Sequence, residues 1–87
     1  MKGGDNMYKT FAEMNELLRT AANINPKNCN GKNIETIAEK TNISTAMLYK
    51  WRSGNSNLSG DKFDILLNYF QIEEPERLQI AERILGW

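Results

Sequence analysis

Between Asn42 and Gly60 the chain reads NISTAMLYKWRSGNSNLSG, a stretch without one carboxylate in a protein whose 11 basic and 11 acidic residues cancel. Lys40, Lys50 and Arg52 are the only charges from 40 to 60, so that window alone carries +3. Cations set among short hydroxyl and amide side chains, with acids cleared away, form a surface suited to a polyanion. Proton-transfer and metal chemistry find less here. Histidine is absent and Cys29 is the single cysteine, which removes the commonest proton carrier, the usual nitrogen and sulfur metal ligands and any intramolecular disulfide. The chain has no glycine-rich phosphate loop, no Ser or Cys nucleophile with a plausible base, and no carboxylate pair in an apolar stretch. The expectation is a protein that binds without catalysis and needs no metal and no cofactor.

The elements that must position these residues are legible from spacing. With 87 residues, 40% hydrophobic and 25% charged, there is room for one domain with one modest core. No apolar run would cross a bilayer and no basic-then-apolar leader is visible, so a cytoplasmic protein that makes no membrane contact is expected. Residues 1–6, MKGGDN, are expected to form a disordered leader ahead of a single domain over 7–87. Their reverse translation permits AAAGGAGGTGATAAC, a bacterial ribosome-binding sequence just before the Met7 codon, which points to Met7 as the natural start.

Met7, Phe11, Met14 and Leu18, with Leu17, Ala21 and Ala22 beside them, predict a first helix from Met7 to about Asn23, capped by Asp5 or Asn6. NINPKNCNGKN reads as a loop. A second helix should run from about Ile34 to Thr41 behind an Asn33 cap. A third should run from Thr45 to about Ser53, capped by Ser44 and stopped by Gly54. Ser59 should open a fourth, through about Phe70, with Phe63, Leu66, Leu67 and Phe70 inward and Ile65 and Tyr69 flanking. Pro75, suited to a first helical turn, should begin a fifth that ends near Leu85. No segment alternates with period two, so an all-α fold of five helices is expected.

Charge is distributed unevenly along this frame. Residues 1–30 hold four bases and three acids, residues 31–62 five and three, and residues 63–87 two and five. Zero net charge therefore hides a dipole, with Glu73, Glu74, Glu76 and Glu82 at the acidic end.

A break as short as TNIS leaves the second and third helices crossing steeply, which demands a small residue at closest approach and one that tolerates left-handed geometry. Ala38 and Asn42 meet those demands, and Ile37, Ile43, Leu48 and Trp51 supply apolar plugs. This is helix-turn-helix spacing. The stretch IETIAEKTNISTAMLYKWRSGNSNLSGDKFDILLNYF, Ile34 to Phe70, resembles the lambda repressor/Cro-like (XRE) helix-turn-helix family. Ile37-Ala38 match its hydrophobic-Ala pair, Asn42 stands at its usual Gly, Ile43-Ser44 form its turn, and Leu48 and Trp51 hold its inward positions. Three features depart from the pattern: Ile34 replaces a phosphate-binding Gln, the first loop is longer, and the acidic last third lies outside it.

The resemblance implies double-stranded DNA as partner. The outward side of the third helix, bearing Thr45, Ala46, Tyr49, Lys50 and Ser53, would enter the major groove, with Thr45, Ala46, Tyr49 and Lys50 meeting bases. Ser44, Arg52, Ser53, Asn55, Ser56 and Asn57 would meet phosphates. Asp61 sits awkwardly among them, either engaged by local amides or repelling phosphate. Trp51 and Tyr49 also suggest base stacking, but the Leu48–Trp51 spacing favours a buried indole. On the fifth helix Leu78, Ala81 and Leu85 form one stripe and Ile80, Ile84 and Trp87 a second, which points to a homodimer unless a small core absorbs both. The expected function is that of a transcriptional repressor of phage or mobile-element type. The alternative is a protein-interaction module, antitoxin-like or inhibitory, on the same scaffold.

Overall fold

Five α-helices account for most of residues 10–24, 33–58 and 60–87, the residues that the structure, a computed structural model, describes. They are α1 (Phe11–Asn23), α2 (Asn33–Thr41), α3 (Thr45–Arg52), α4 (Gly60–Glu73) and α5 (Pro75–Leu85). Among the described residues there is no strand, and no helix is long and apolar enough to cross a membrane. The expected leader, Met7, Cys29 with the loop around it, and Ser59 lie outside the described residues.

Helix α1 starts later than its apolar spacing predicted. Thr10, not Asp5 or Asn6, caps it: the Glu13 amide donates to the Thr10 hydroxyl and the Thr10 amide donates to the Glu13 carboxylate, a reciprocal box that satisfies two otherwise orphaned donors. The buried face of α1 is Met14, Leu17, Leu18, Ala21 and Ala22. Phe11, whose spacing put it in the apolar register, is substantially exposed on the first turn of α1, where its ring lies 5.2 Å from that of Phe63, centroid to centroid.

Helices α2 and α3 are joined by Asn42, Ile43 and Ser44 alone. Asn42 adopts φ 63°, the left-handed conformation that a short side chain tolerates best after glycine, and its amide still donates to the Ala38 carbonyl. Thr41 braces the turn, its hydroxyl donating to the Ile37 carbonyl and accepting from the Ile43 amide. The Ser44 hydroxyl accepts from the Met47 amide and caps α3 as expected. Asn33, expected as a cap, is instead the first residue of α2.

One core joins all five helices. Leu18, Ile37, Leu48, Trp51, Leu66, Phe70 and Ala81 are fully buried in it, and each of the larger side chains contributes about 1.5–3 kcal/mol through removal from water. Helix α1 packs against α3, α4 and α5, and α2 against α3 and α4. Helix α4 runs one turn past Phe70 to Glu73, which puts Ile72 on a helix with its side chain 69% exposed. Tyr69 is buried and Ile65 exposed, whereas both were expected at the margin.

Helix α5 begins at Pro75 and ends at Gly86 in the left-handed conformation (φ 76°), where the Gly86 and Trp87 amides turn back to the Arg83 and Glu82 carbonyls. That turn explains a departure on the second stripe of α5. Trp87 is folded back against the core and half-buried, while Ile80 and Ile84 stay 37% and 63% exposed.

Candidate functional site

Helix α3 has two contrasting sides because Leu48 and Trp51 lock its rotation. Both are fully buried, and the Trp51 indole nitrogen donates to the Asn15 side-chain oxygen at 3.0 Å. With those positions turned inward, Thr45, Ala46, Tyr49, Lys50 and Ser53 are all exposed. The residues expected to read bases are therefore brought together on one accessible face, free of carboxylates. Trp51 is a core residue and does not offer its ring for stacking.

The flanking residues divide by what their polar atoms already do. Ser44 uses its oxygen as an acceptor for the Met47 amide, so its hydroxyl proton remains to be donated. Ser53 does the reverse: its hydroxyl donates to the Lys50 carbonyl at 2.9 Å, which closes the end of α3 rather than facing a ligand. Arg52 lies over the Tyr49 ring, 5.3 Å from its centroid, so the guanidinium is held beside the outward face. Asn55, Ser56 and Asn57 are exposed in the loop that follows.

Cations near this face are fewer than the window suggested. Lys40, in the last turn of α2, is engaged elsewhere, paired with Glu73 of α4 at 3.6 Å. Lys50 and Arg52 remain beside α3. Lys62, which the carboxylate-free reading of the α3 face left out, lines a groove of about 330 Å³ with Met47, Ser56, Asn57, Leu58 and Asp61, so this groove carries one charge of each sign. Ile34, at the position where the resemblance would put a phosphate-binding Gln, is fully buried core.

Two polar residues of α1 hold this arrangement together, and neither was foreseen. Asn15 is fully buried and fully used: its oxygen accepts from Trp51 Nε1 and the Leu58 amide, and its Nδ2 donates to the Phe11 and Leu58 carbonyls. Arg19 donates from Nε to the Trp51 carbonyl (2.6 Å) and from Nη2 to the Ser56 carbonyl (3.1 Å) and Asn57 Oδ1 (2.7 Å). An amphipathic reading marks both only as polar residues bordering an apolar stripe. Their partners in α3 and the loop after it lie 32 to 43 positions away, where periodicity carries no signal.

Elsewhere, among the described residues, no group of three or more His, Cys, Asp or Glu side chains could hold a metal. Arg77 is buried between α5 and α1 and donates to the Ile24 carbonyl at the end of α1. Burial, reinforced by the neighbouring Glu74 carboxylate, pushes the Tyr69 phenol up to about 12. No family model, no curated protein and no solved structure matches this chain.

Proposed function

We propose that this protein is a sequence-specific DNA-binding regulator, acting as a repressor by occupying an operator in duplex DNA. One observation carries the reading: α3 presents an exposed, carboxylate-free face of Thr45, Ala46, Tyr49 and Lys50, held outward by the burial of Leu48 and Trp51. The left-handed Asn42 turn and the family resemblance over Ile34–Phe70 support the same reading, that of a lambda repressor-like helix-turn-helix. In the major groove Lys50 can donate to guanine O6 and N7, Thr45 can bond several bases, and Ala46 can pack on a thymine methyl. Ser44, Arg52 and the 55–57 loop would face the phosphates, and the committed hydroxyl of Ser53 would serve by closing α3.

With Lys50 and Arg52 on α3 and Lys62 in the groove next to the 56–58 segment, few counterions are displaced and affinity per subunit is modest. A second copy would raise it. Ile80 and Ile84 are the surface on α5 through which a homodimer would form, setting two α3 helices roughly 34 Å apart on a palindromic site. The test is a mobility shift against random duplex at low salt, followed by selection of bound duplexes from a random pool. The reading expects salt-sensitive binding and a selected consensus with two-fold symmetry. Absence of any shift at low salt refutes it.

A second reading, a protein-interaction module, is favoured by a separate observation: Ile72, Ile80 and Ile84 are exposed in the acidic last third. It expects a partner captured through that third and retained when Lys50 and Arg52 are both changed to Ala.

A further inference from the structure

The loop between α3 and α4 supplies three of the expected phosphate contacts, Asn55, Ser56 and Asn57, yet before Leu58 it buries no side chain of its own. Such a segment ordinarily keeps its conformational freedom and loses it only on binding, at about 1–2 kcal/mol of backbone entropy per residue. Here it is tied down in the free protein by a residue of a different helix. We propose that Arg19 of α1 is a positioning residue for the α3 face: it sets the end of α3 and the 55–57 loop in one register and acts on nucleic acid through them, without touching it. The proposal rests on the DNA-binding reading above.

The geometry of the guanidinium carries the argument. Its Nε and Nη2 donors reach three acceptors: the Trp51 carbonyl in the last turn of α3, and the Ser56 carbonyl and the Asn57 side-chain oxygen in the loop. Nη1 faces Glu16 on its own helix at 3.3 Å, and the guanidinium carbon lies 5.8 Å from the Trp51 ring centroid. With only 14% of the side chain exposed, Arg19 is directed inward onto the chain. A planar fork of fixed donors can bridge acceptors on two segments at once, whereas an ammonium is a point donor on a flexible stem.

Each bond has a consequence for the outward face. The Trp51 carbonyl also accepts from the Gly54 amide, so the cation adds to the cap at the negative end of α3, where positive charge is favoured. The bond to Asn57 Oδ1 occupies the amide's acceptor, which leaves its Nδ2 as the end that can donate to a phosphate oxygen. Holding Ser56 and Asn57 before the ligand arrives removes an ordering cost from binding. Asn15 makes the neighbouring bonds to Leu58 and the Trp51 indole, but from within the core, so its loss would be felt first as instability. Arg19 works at the edge of the core, and its loss loosens the loop while the core persists.

The experiment compares the full-length protein with its Arg19→Met and Arg19→Lys variants, with Arg19→Gln as a second neutral replacement should Met not fold. Three quantities are read: thermal stability, amide hydrogen exchange of Gly54 to Leu58 in the free protein, and affinity for selected and random duplexes across a salt series. The expected result is a folded Arg19→Met protein whose loop amides exchange about tenfold faster, with about tenfold weaker binding to selected and random duplexes alike, equivalent to about 1.4 kcal/mol. The salt slope stays at the wild-type value, and Arg19→Lys falls with Met rather than with wild type. A slope reduced by about one would mean that Arg19 itself meets a phosphate and would overturn the proposal. Unchanged loop exchange, or an affinity loss matched by the unfolded fraction, would overturn it too. Wild-type protein that binds no duplex refutes the DNA reading, whereas wild-type binding that Arg19→Met leaves intact refutes only the role of Arg19.

Discussion

Helices α3 and α5 are short, amphipathic and closed by the same turn, yet they present opposite surfaces. Each is followed by a left-handed glycine, Gly54 or Gly86, with paired backbone bonds returning to the last turn. Each seats its inner side in the shared core, through Leu48 and Trp51 in one and Ala81 in the other. Outward, α3 shows Thr45, Ala46, Tyr49 and Lys50 without an acid, while α5 shows Glu76, Glu82 and two exposed isoleucines. Folding needs the inner sides alone, and α5 demonstrates that an acidic outer side is compatible with this scaffold. The missing carboxylates on α3 are therefore not demanded by the fold, and they suit the polyanion that the proposed function sets against this helix.

The contrast can be broken at its root by Trp51→Ala, which opens a cavity beneath α3 and removes one of the hydrogen bonds to buried Asn15. A loss of about 3–5 kcal/mol is expected in urea unfolding, enough to remove most of a small domain's stability. Lys50→Ala should separate the two helices functionally. A cost of about 1–3 kcal/mol on a selected duplex, with relaxed base preference and an unchanged urea midpoint, is expected from binding titrations; Arg83→Ala on α5 should leave binding alone. Equal losses on selected and random duplexes would show that Lys50 does not read bases. Asn42→Ala, which forces a β-carbon without a polar head into the left-handed region, should cost about 1–2 kcal/mol of stability, and Asn42→Gly should not.

The acidic side has its own signature in Tyr69, raised from the usual 10.0 to about 12 by burial and by Glu74. A folded pKa above the unfolded one means that the neutral phenol contributes stability fully below pH 10, and that this contribution is lost as pH rises through about 12. Tyr69→Phe should abolish that alkaline decline in a pH series of unfolding curves. The smallest effect is expected at Ile84, 63% exposed, where Ile84→Ser should change monomer stability by less than about 0.5 kcal/mol. Sedimentation should nevertheless register it: a dimer that persists unchanged in Ile84→Ser does not use this surface of α5.

Much of the scaffold was legible because it rests on short-range rules. Helical periodicity located all five helices, Ser44 and Pro75 marked two starts, and Asn42 was identified as the left-handed residue by its place in a turn too short for anything else. The start of α1 was misplaced for an instructive reason. Met7 extends the apolar register, but Thr10 and Glu13 form a capping box, and a box decides where a helix begins.

What the sequence determined by itself was the set of helices and the inward pairs Ile37–Ile43 and Leu48–Trp51, since both follow from the geometry of neighbours along one chain. Only the tertiary structure decided that Arg19 and Asn15 grip the end of α3, that Lys40 is drawn to Glu73, and that Trp87 folds back while Ile72 stays out. Those outcomes depend on which groups meet across the core. A hydrogen bond spanning 32 residues leaves no period to read, because its partners are chosen by packing and by the need to satisfy each buried donor and acceptor.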